Sequence, residues 1–176
     1  MAFSDFKSIS EVQKKYKIKY TEDHFIVSQD VSPSDSFVED FEFNKENIDI
    51  FGSEASRSEI IISPLLRDVY KKHYQGYSFW IQKSISYDDI LSGTPDYIFS
   101  RRSELGKTVL DTPLVMIIAE AKKNDFEQGW GQCLAELIAS QKMNDNPHRP
   151  VYGIVTDGNL WQFGRLVEDT FRKDTQ

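Results

Sequence analysis

The sequence predicts an α/β fold with a mixed central sheet flanked by helices. The order is helix, three strands, helix and strand (α-β-β-β-α-β), plus a C-terminal hairpin strand. Three observations predict it. Residues 114–122 (LVMIIAEAK) are continuously apolar until Glu120, the pattern of a central strand covered on both faces. Residues 127–143 place Leu134, Leu137, Ile138 and Gln141 at helical spacing, long enough to cross a sheet. Residues 151–156 (VYGIVT) form another buried strand and run into a tight Asp157-Gly158-Asn159 turn.

The remaining elements follow in chain order. Ser10–Tyr16 has the spacing of a short amphipathic helix, 21–28 reads as a strand, and 35–43 as a helix after the Ser32-Pro33-Ser34 breaker. Ser53 is a helix N-cap, with Glu54 and Glu59 favouring the positive end of the dipole. Ser63-Pro64 is expected to interrupt this helix, which resumes over 65–73. Residues 77–85 (YSFWIQKSI) and 95–100 (PDYIFS) are β-rich and aromatic, and 160–166 (LWQFGRL) completes the hairpin. Short links predict an antiparallel meander for the first three core strands. The helical crossover predicts a fourth strand parallel to the third, with a right-handed connection.

A chain of 176 residues suits one domain over 1–176, with 1–52 as an unassigned helical and strand extension. No apolar run approaches the roughly 20 residues of a membrane helix, so no membrane partner is expected. Met1-Ala2-Phe3-Ser4-Asp5 lacks a basic and then apolar leader, and Cys133 is the one cysteine. A reduced, cytoplasmic location is expected. The net charge of −7 is uneven: residues 20–60 hold eleven acids against Lys45 and Arg57, leaving the rest of the chain slightly basic. A nucleic-acid surface built from that remainder is therefore compatible with the acidic total.

Two familiar patterns fail. Gly106-Lys107-Thr108 lacks the leading glycine of a phosphate loop, whose place is taken by Arg101. Gly129-Trp130-Gly131 continues to Leu134 where a dinucleotide site needs a small residue. Cys133 lies on an apolar helix stripe, and His24, His73 and His148 are scattered with no metal-ligand spacing. What remains is Pro95-Asp96, then Glu120-Ala121-Lys122 at the end of the most apolar strand. Residues two apart in a strand share a face, so Glu120 and Lys122 follow Leu114, Met116 and Ile118 on one side. Two carboxylates on neighbouring strands suit a hard divalent ion, and an adjacent ammonium suits the charge of a phosphodiester under attack. A charged strand end is commonly no more than the point where a strand meets solvent; its position after a buried strand and a Gly93-Thr94-Pro95-Asp96 turn favours the chemical reading.

These residues resemble the PD-(D/E)XK nuclease superfamily, which includes restriction endonucleases and the nuclease domains of type I restriction subunits. The resemblance covers about 53–166, a nuclease-like core. Pro95-Asp96 is similar to the PD element and Glu120-Ala121-Lys122 to the (D/E)-x-K element. Gln132 is similar to the glutamine of the following helix, although Glu136 stands where several relatives carry tyrosine. Residues 53–57 running into 62–66 are similar to the leading helix, and 151–158 with Trp161-Gln162-Phe163 to the closing strands of type I nuclease domains.

The resemblance implies a restriction endonuclease-like core and a Mg²⁺-dependent endonuclease, with Mn²⁺ as a substitute ion, acting on DNA in restriction, repair or defence against mobile elements. It implies metal ligands at Asp96, Glu120, the Ala121 carbonyl and an acid of the leading helix, Glu54 with Glu59 in reserve. Lys122 is then the catalytic cation and Gln132 an accessory group. A second copy of the chain, or a separate recognition or motor subunit, is a compatible partner. The alternative is a module that keeps the fold and binds DNA or protein without cutting.

Overall fold

The computed structural model describes residues 2–175. A single 3₁₀ turn (Phe3–Asp5) leads into α1 (Ile9–Tyr16) and β1 (Lys19–Asp23), and an irregular stretch then reaches α2 (Asp35–Asn47). The leading helix follows in three parts: α3 (Glu54–Ser56), a π-helical stretch (Arg57–Ile62) and α4 (Ser63–Tyr70). Next come β2 (Tyr77–Ile81), a small hairpin of β3 (Ile85–Ser86) and β4 (Ser92–Gly93), β5 (Tyr97–Arg101) and β6 (Leu114–Glu120). The crossover α5 (Phe126–Asn144), β7 (Val151–Thr156), β8 (Trp161–Val167) and β9 (Thr170–Asp174) complete the chain.

The fold is α/β, with a mixed seven-stranded sheet in the order β1-β9-β8-β7-β6-β5-β2. β2, β5 and β6 form the expected antiparallel meander, and β7 lies parallel to β6. β6 is thus flanked by β5 and β7, as its apolar run predicts. Helix α5 covers one face, with α1 and the first turn packed behind it around Phe3, Phe6, Val12, Leu134 and Leu137. The leading helix covers the other, where Ile62 and Leu66 meet Tyr97, Phe99, Ile118 and Ile154. The stretch read as an extension is therefore woven in: β1 pairs with β9 and α1 backs α5. Among the described residues no helix is long and apolar enough to cross a membrane.

Three local expectations are corrected. Ser63-Pro64 does not break the leading helix. In the π stretch the Ser63 N–H donates to the Ser58 carbonyl, five residues back. This wider turn accommodates a proline ring that lacks an N–H and would crowd a regular turn. The strand from Tyr77 stops at Ile81, because Gln82 adopts a left-handed φ of 48° and turns the chain. The Leu114-Met116-Ile118 stripe is broken by a register shift, Phe99 pairing with Met116 but Ser100 with Leu114. Leu114 joins the α5 face, while Val115 and Met116 both lie against the opposite cluster.

The two glycines of Gly129-Trp130-Gly131 have packing roles. A Cβ on Gly129 would come within 2.8 Å of Val155 Cγ1, and one on Gly131 within 2.6 Å of the Ser8 backbone. They let α5 lie tight between β7 and the chain entering α1.

Candidate active site

The site forms where β5 begins and β6 ends. The β5–β6 ladder stops at the Tyr97–Ile118 pair, and beyond it the Asp96 side chain supplies an acceptor in place of a β5 main-chain carbonyl. Its Oδ2 accepts the Glu120 N–H at 2.8 Å. The chain bends at Asp96 before entering β5, so this carboxylate lies at the strand mouth beside Glu120. Ala121 is fully buried and extends the β6–β7 pairing by donating its N–H to the Thr156 carbonyl at 2.7 Å.

A sharp turn follows. Lys122, Lys123 and Asn124 are exposed, and Lys123 and Asn124 take left-handed φ values of 52° and 59°. Neither is glycine, so this conformation carries backbone strain. Two contacts hold it. The Lys123 N–H donates to Glu54 Oε1 at 3.2 Å, and Asp125 caps α5 by accepting the Gln128 N–H at 3.0 Å. The leading helix thus reaches the turn after the E-x-K segment through Glu54. Glu59 is exposed.

The electrostatics are those of a crowded acidic pocket. The Glu120 carboxyl is pushed up to about 7, first by burial and then by the Asp96 charge, with Glu54 adding to it; Ser58 and Arg57 oppose the rise. Asp96 is also raised, by burial first and by Glu54, against the Glu120 N–H and Lys122. Asp96, Glu120, Glu54 and Lys122 therefore act on one another, and Glu120 Oε1 is buried with no hydrogen-bond partner.

Gln132 stands apart from this group. Its Nε2 donates to Glu136 Oε1 at 3.0 Å, on the α5 side of the sheet. Glu136 is completely buried, its Oε2 has no partner, and burial pushes its carboxyl up to about 8, with Asp96 contributing. Gln132 meets Glu136, and Glu136 in turn feels the Asp96 charge.

Sequence reasoning gave no role to Arg57, Ser58, Tyr97 or Glu136. Ser58 Oγ and the Tyr97 hydroxyl lie 2.8 Å apart beneath Glu120, while Arg57 sends Nη1 to the Phe51 carbonyl at 3.1 Å. Arg57 Nε is buried without a partner. Their signal was periodic: 54, 57 and 58 share one helical face. Glu136 was visible as an acid one turn beyond Gln132 on an apolar helix.

Among the described residues no three His, Cys, Asp or Glu side chains are grouped as a metal-binding set. The donor set nonetheless fits Mg²⁺, which keeps several waters and is commonly held by one or two carboxylates rather than an all-protein cage. Asp96 and Glu120 supply two carboxylates of raised proton affinity, and the orphaned Glu120 oxygen is an open acceptor. A buried orphan acceptor in a native fold calls for a ligand, an ion or a water.

Glu136 carries a stability prediction. Its folded value is near 8 against an ordinary 4.5, so between those pH values the folded protein holds a proton the unfolded chain has released. Stability then falls as pH rises through that window. Glu136→Gln removes the titration, and the two proteins should melt alike near pH ~4. Near pH ~8 the variant should melt about 5 °C or more higher, from a gain of a few kcal/mol. Thermal melts across pH test this; parity at the upper end would show that the buried carboxyl is not held neutral.

No protein-family model matches the chain, and no curated protein matches it in sequence.

Proposed function

We propose that the protein is a Mg²⁺-dependent nuclease that hydrolyses DNA phosphodiester bonds, built on a restriction endonuclease-like core. The observation carrying this reading is the orphaned, buried Glu120 oxygen in a carboxyl raised by burial and by Asp96. A retired site has no physical need to keep two desolvated acids side by side at a strand mouth.

Asp96 and Glu120 would hold the ion, with the Ala121 carbonyl completing the protein ligands and Glu54 approaching from the leading helix. When bound, Mg²⁺ supplies Lewis-acid polarisation of a phosphoryl oxygen and a more acidic water. The chain's own groups do the rest. Lys122, exposed next to Asp96, offers an ammonium to the negative charge that grows on the phosphate in the transition state. Arg57 and Ser58 favour the charged form of Glu120. Glu54 fixes the Lys123 turn, and with it the direction in which the chain carries Lys122 away from the strand. Gln132 donates to Glu136 and favours that acid's charged form against burial and the Asp96 charge.

The proposal predicts a pH dependence. Because Glu120 titrates near 7 as one member of a coupled pair with Asp96, its proton competes with the metal below that pH. Mg²⁺ affinity should fall about tenfold per pH unit below ~7 and level off above it. Calorimetric titration of metal at several pH values checks the slope.

Activity is tested on supercoiled, linear and single-stranded DNA with Mg²⁺, Mn²⁺ and EDTA. Cleavage that EDTA abolishes supports the nuclease. Protein that cuts none of these substrates and binds neither ion by calorimetry is instead a binding module with a structural acid pair.

A further inference from the structure

The two ends of the sheet are finished differently. β1 is exposed along its whole length and carries Lys19, Glu22 and Asp23, charges that discourage another strand from pairing. β2, at the opposite end, reads Tyr77-Ser78-Phe79-Trp80-Ile81, with no charge and no proline.

The hydrogen-bond register shows which of its backbone groups are open. The Arg102 N–H donates to the Gly76 carbonyl and the Gln82 N–H to the Asp96 carbonyl, so even-numbered residues of this stretch turn their main-chain groups toward β5. By antiparallel alternation, Tyr77, Phe79 and Ile81 turn theirs outward. Among the described residues no strand lies beyond them. The Tyr77 carbonyl accepts the Tyr70 hydroxyl at 2.9 Å and keeps a second lone pair. Ile81 is 54% and Tyr77 39% exposed, with Val69 and Tyr74 open beside them. An open groove of about 550 Å³, lined by Val69, His73, Tyr77, Phe99, Val115 and Tyr152, continues the patch across the sheet face.

We propose that β2 is a homodimer edge: a second copy of this chain pairs its own β2 antiparallel across a two-fold axis at Phe79, joining the two sheets into one. A second copy is favoured by self-complementarity. Centring the axis on Phe79 sets the outward-facing positions 77, 79 and 81 opposite 81, 79 and 77 of the other copy. Every facing pair is then a hydrogen-bonded pair. No charges meet at all, since β2 carries none. Ile81 is set against the partner's Tyr77, an apolar cross-strand pair. The groove and the exposed Val69 and Tyr74 widen a contact that five strand residues alone would leave small. This inference is independent of the catalytic reading.

Sedimentation velocity on the full chain across a concentration range should show a reversible dimer. Ile81→Lys should raise the dissociation constant at least about tenfold, with an unchanged melting temperature. Val27→Lys, at a residue 80% exposed elsewhere, should change nothing. The double variant Tyr77→Cys/Ile81→Cys should form a disulfide-linked dimer on mild oxidation, because hydrogen-bonded antiparallel partners stand about 5.5 Å apart, within disulfide reach. Ile81→Cys alone should not cross-link, since the axis separates the two equivalent positions; the buried Cys133 does not interfere. If Ile81→Lys unfolds, the cross-linking pair decides. A wild type that stays monomeric overturns the proposal, even if another polypeptide occupies the edge. So does a dimer indifferent to Ile81→Lys, or a single cysteine that links as well as the pair.

Discussion

Asp96→Asn and Glu120→Gln should each reduce Mg²⁺-dependent DNA cleavage by about 10²–10³-fold or more while leaving the fold intact. Both substitutions keep shape and remove charge, and both sites lie at a half-buried strand mouth rather than in the core. Glu120→Gln also removes an acid that burial and Asp96 hold at about 7, so its folding cost is negative or small. Asp96→Asn must keep the Glu120 N–H satisfied, and its amide oxygen can accept that bond. Metal affinity should fall in both variants. Lys122→Ala should separate the steps: its side chain is exposed and no ligand, so metal binding should persist while the rate falls. DNA binding without metal should hold or tighten in the two acid variants, because fewer carboxylates face the phosphates. Cleavage assays paired with calorimetry and circular dichroism read each arm. Wild-type rates in Glu120→Gln would remove this carboxyl from the chemistry and the proposal with it.

The parts of the fold legible in the sequence were those set by burial on a regular period. β6 announced itself because a strand covered on both faces has no polar alternation. The crossover announced itself because a long helix between two such strands leaves few topologies. β9 and the β1–β9 pairing were not legible: TFRKD and KYTED are short, charged segments whose partnership depends on a contact about 150 residues apart in the chain. The bulge at Leu114 was invisible because a one-residue slip leaves no compositional mark, yet it moves Val115 to the other face.

In the site, Asp96, Glu120 and Lys122 were legible as charges ending an apolar strand. The way the Asp96 side chain stands in for a main-chain acceptor to the Glu120 N–H was not, since it is a property of tertiary pairing. Ser63-Pro64 misled for a related reason. Proline reports what a regular helix cannot do, and the chain answered with a π turn. That turn belongs to the same stretch that carries Arg57 and Ser58 to Glu120, so the irregularity and the site share one segment.

Ile117→Asp should abolish folding, and Val115→Asp should not. Ile117 is completely buried in the central strand, paired with Ile98 on one side and Gly153 on the other, and packed in the cluster beneath α5. Removing the side chain costs about 2–5 kcal/mol, and an unpartnered buried carboxylate adds several more or must take up a proton. Against a total of about 5–15 kcal/mol the sum is enough to leave the chain unfolded or aggregated. Val115 is only two residues away, and its apolar neighbours make it look equivalent. The register shift instead turns it to the half-covered face, where it lines the open groove and an added carboxylate can reach water. Val115→Asp should therefore stay folded, with a melting temperature lowered by a few degrees, as about 1–2 kcal/mol would give in a chain of this size. Parallel expression, circular dichroism and thermal melts of the two variants test the asymmetry. Equal behaviour would mean that the bulge does not divide the two faces of β6 as described, and an Ile117→Asp protein melting like wild type would displace β6 from the centre of the sheet.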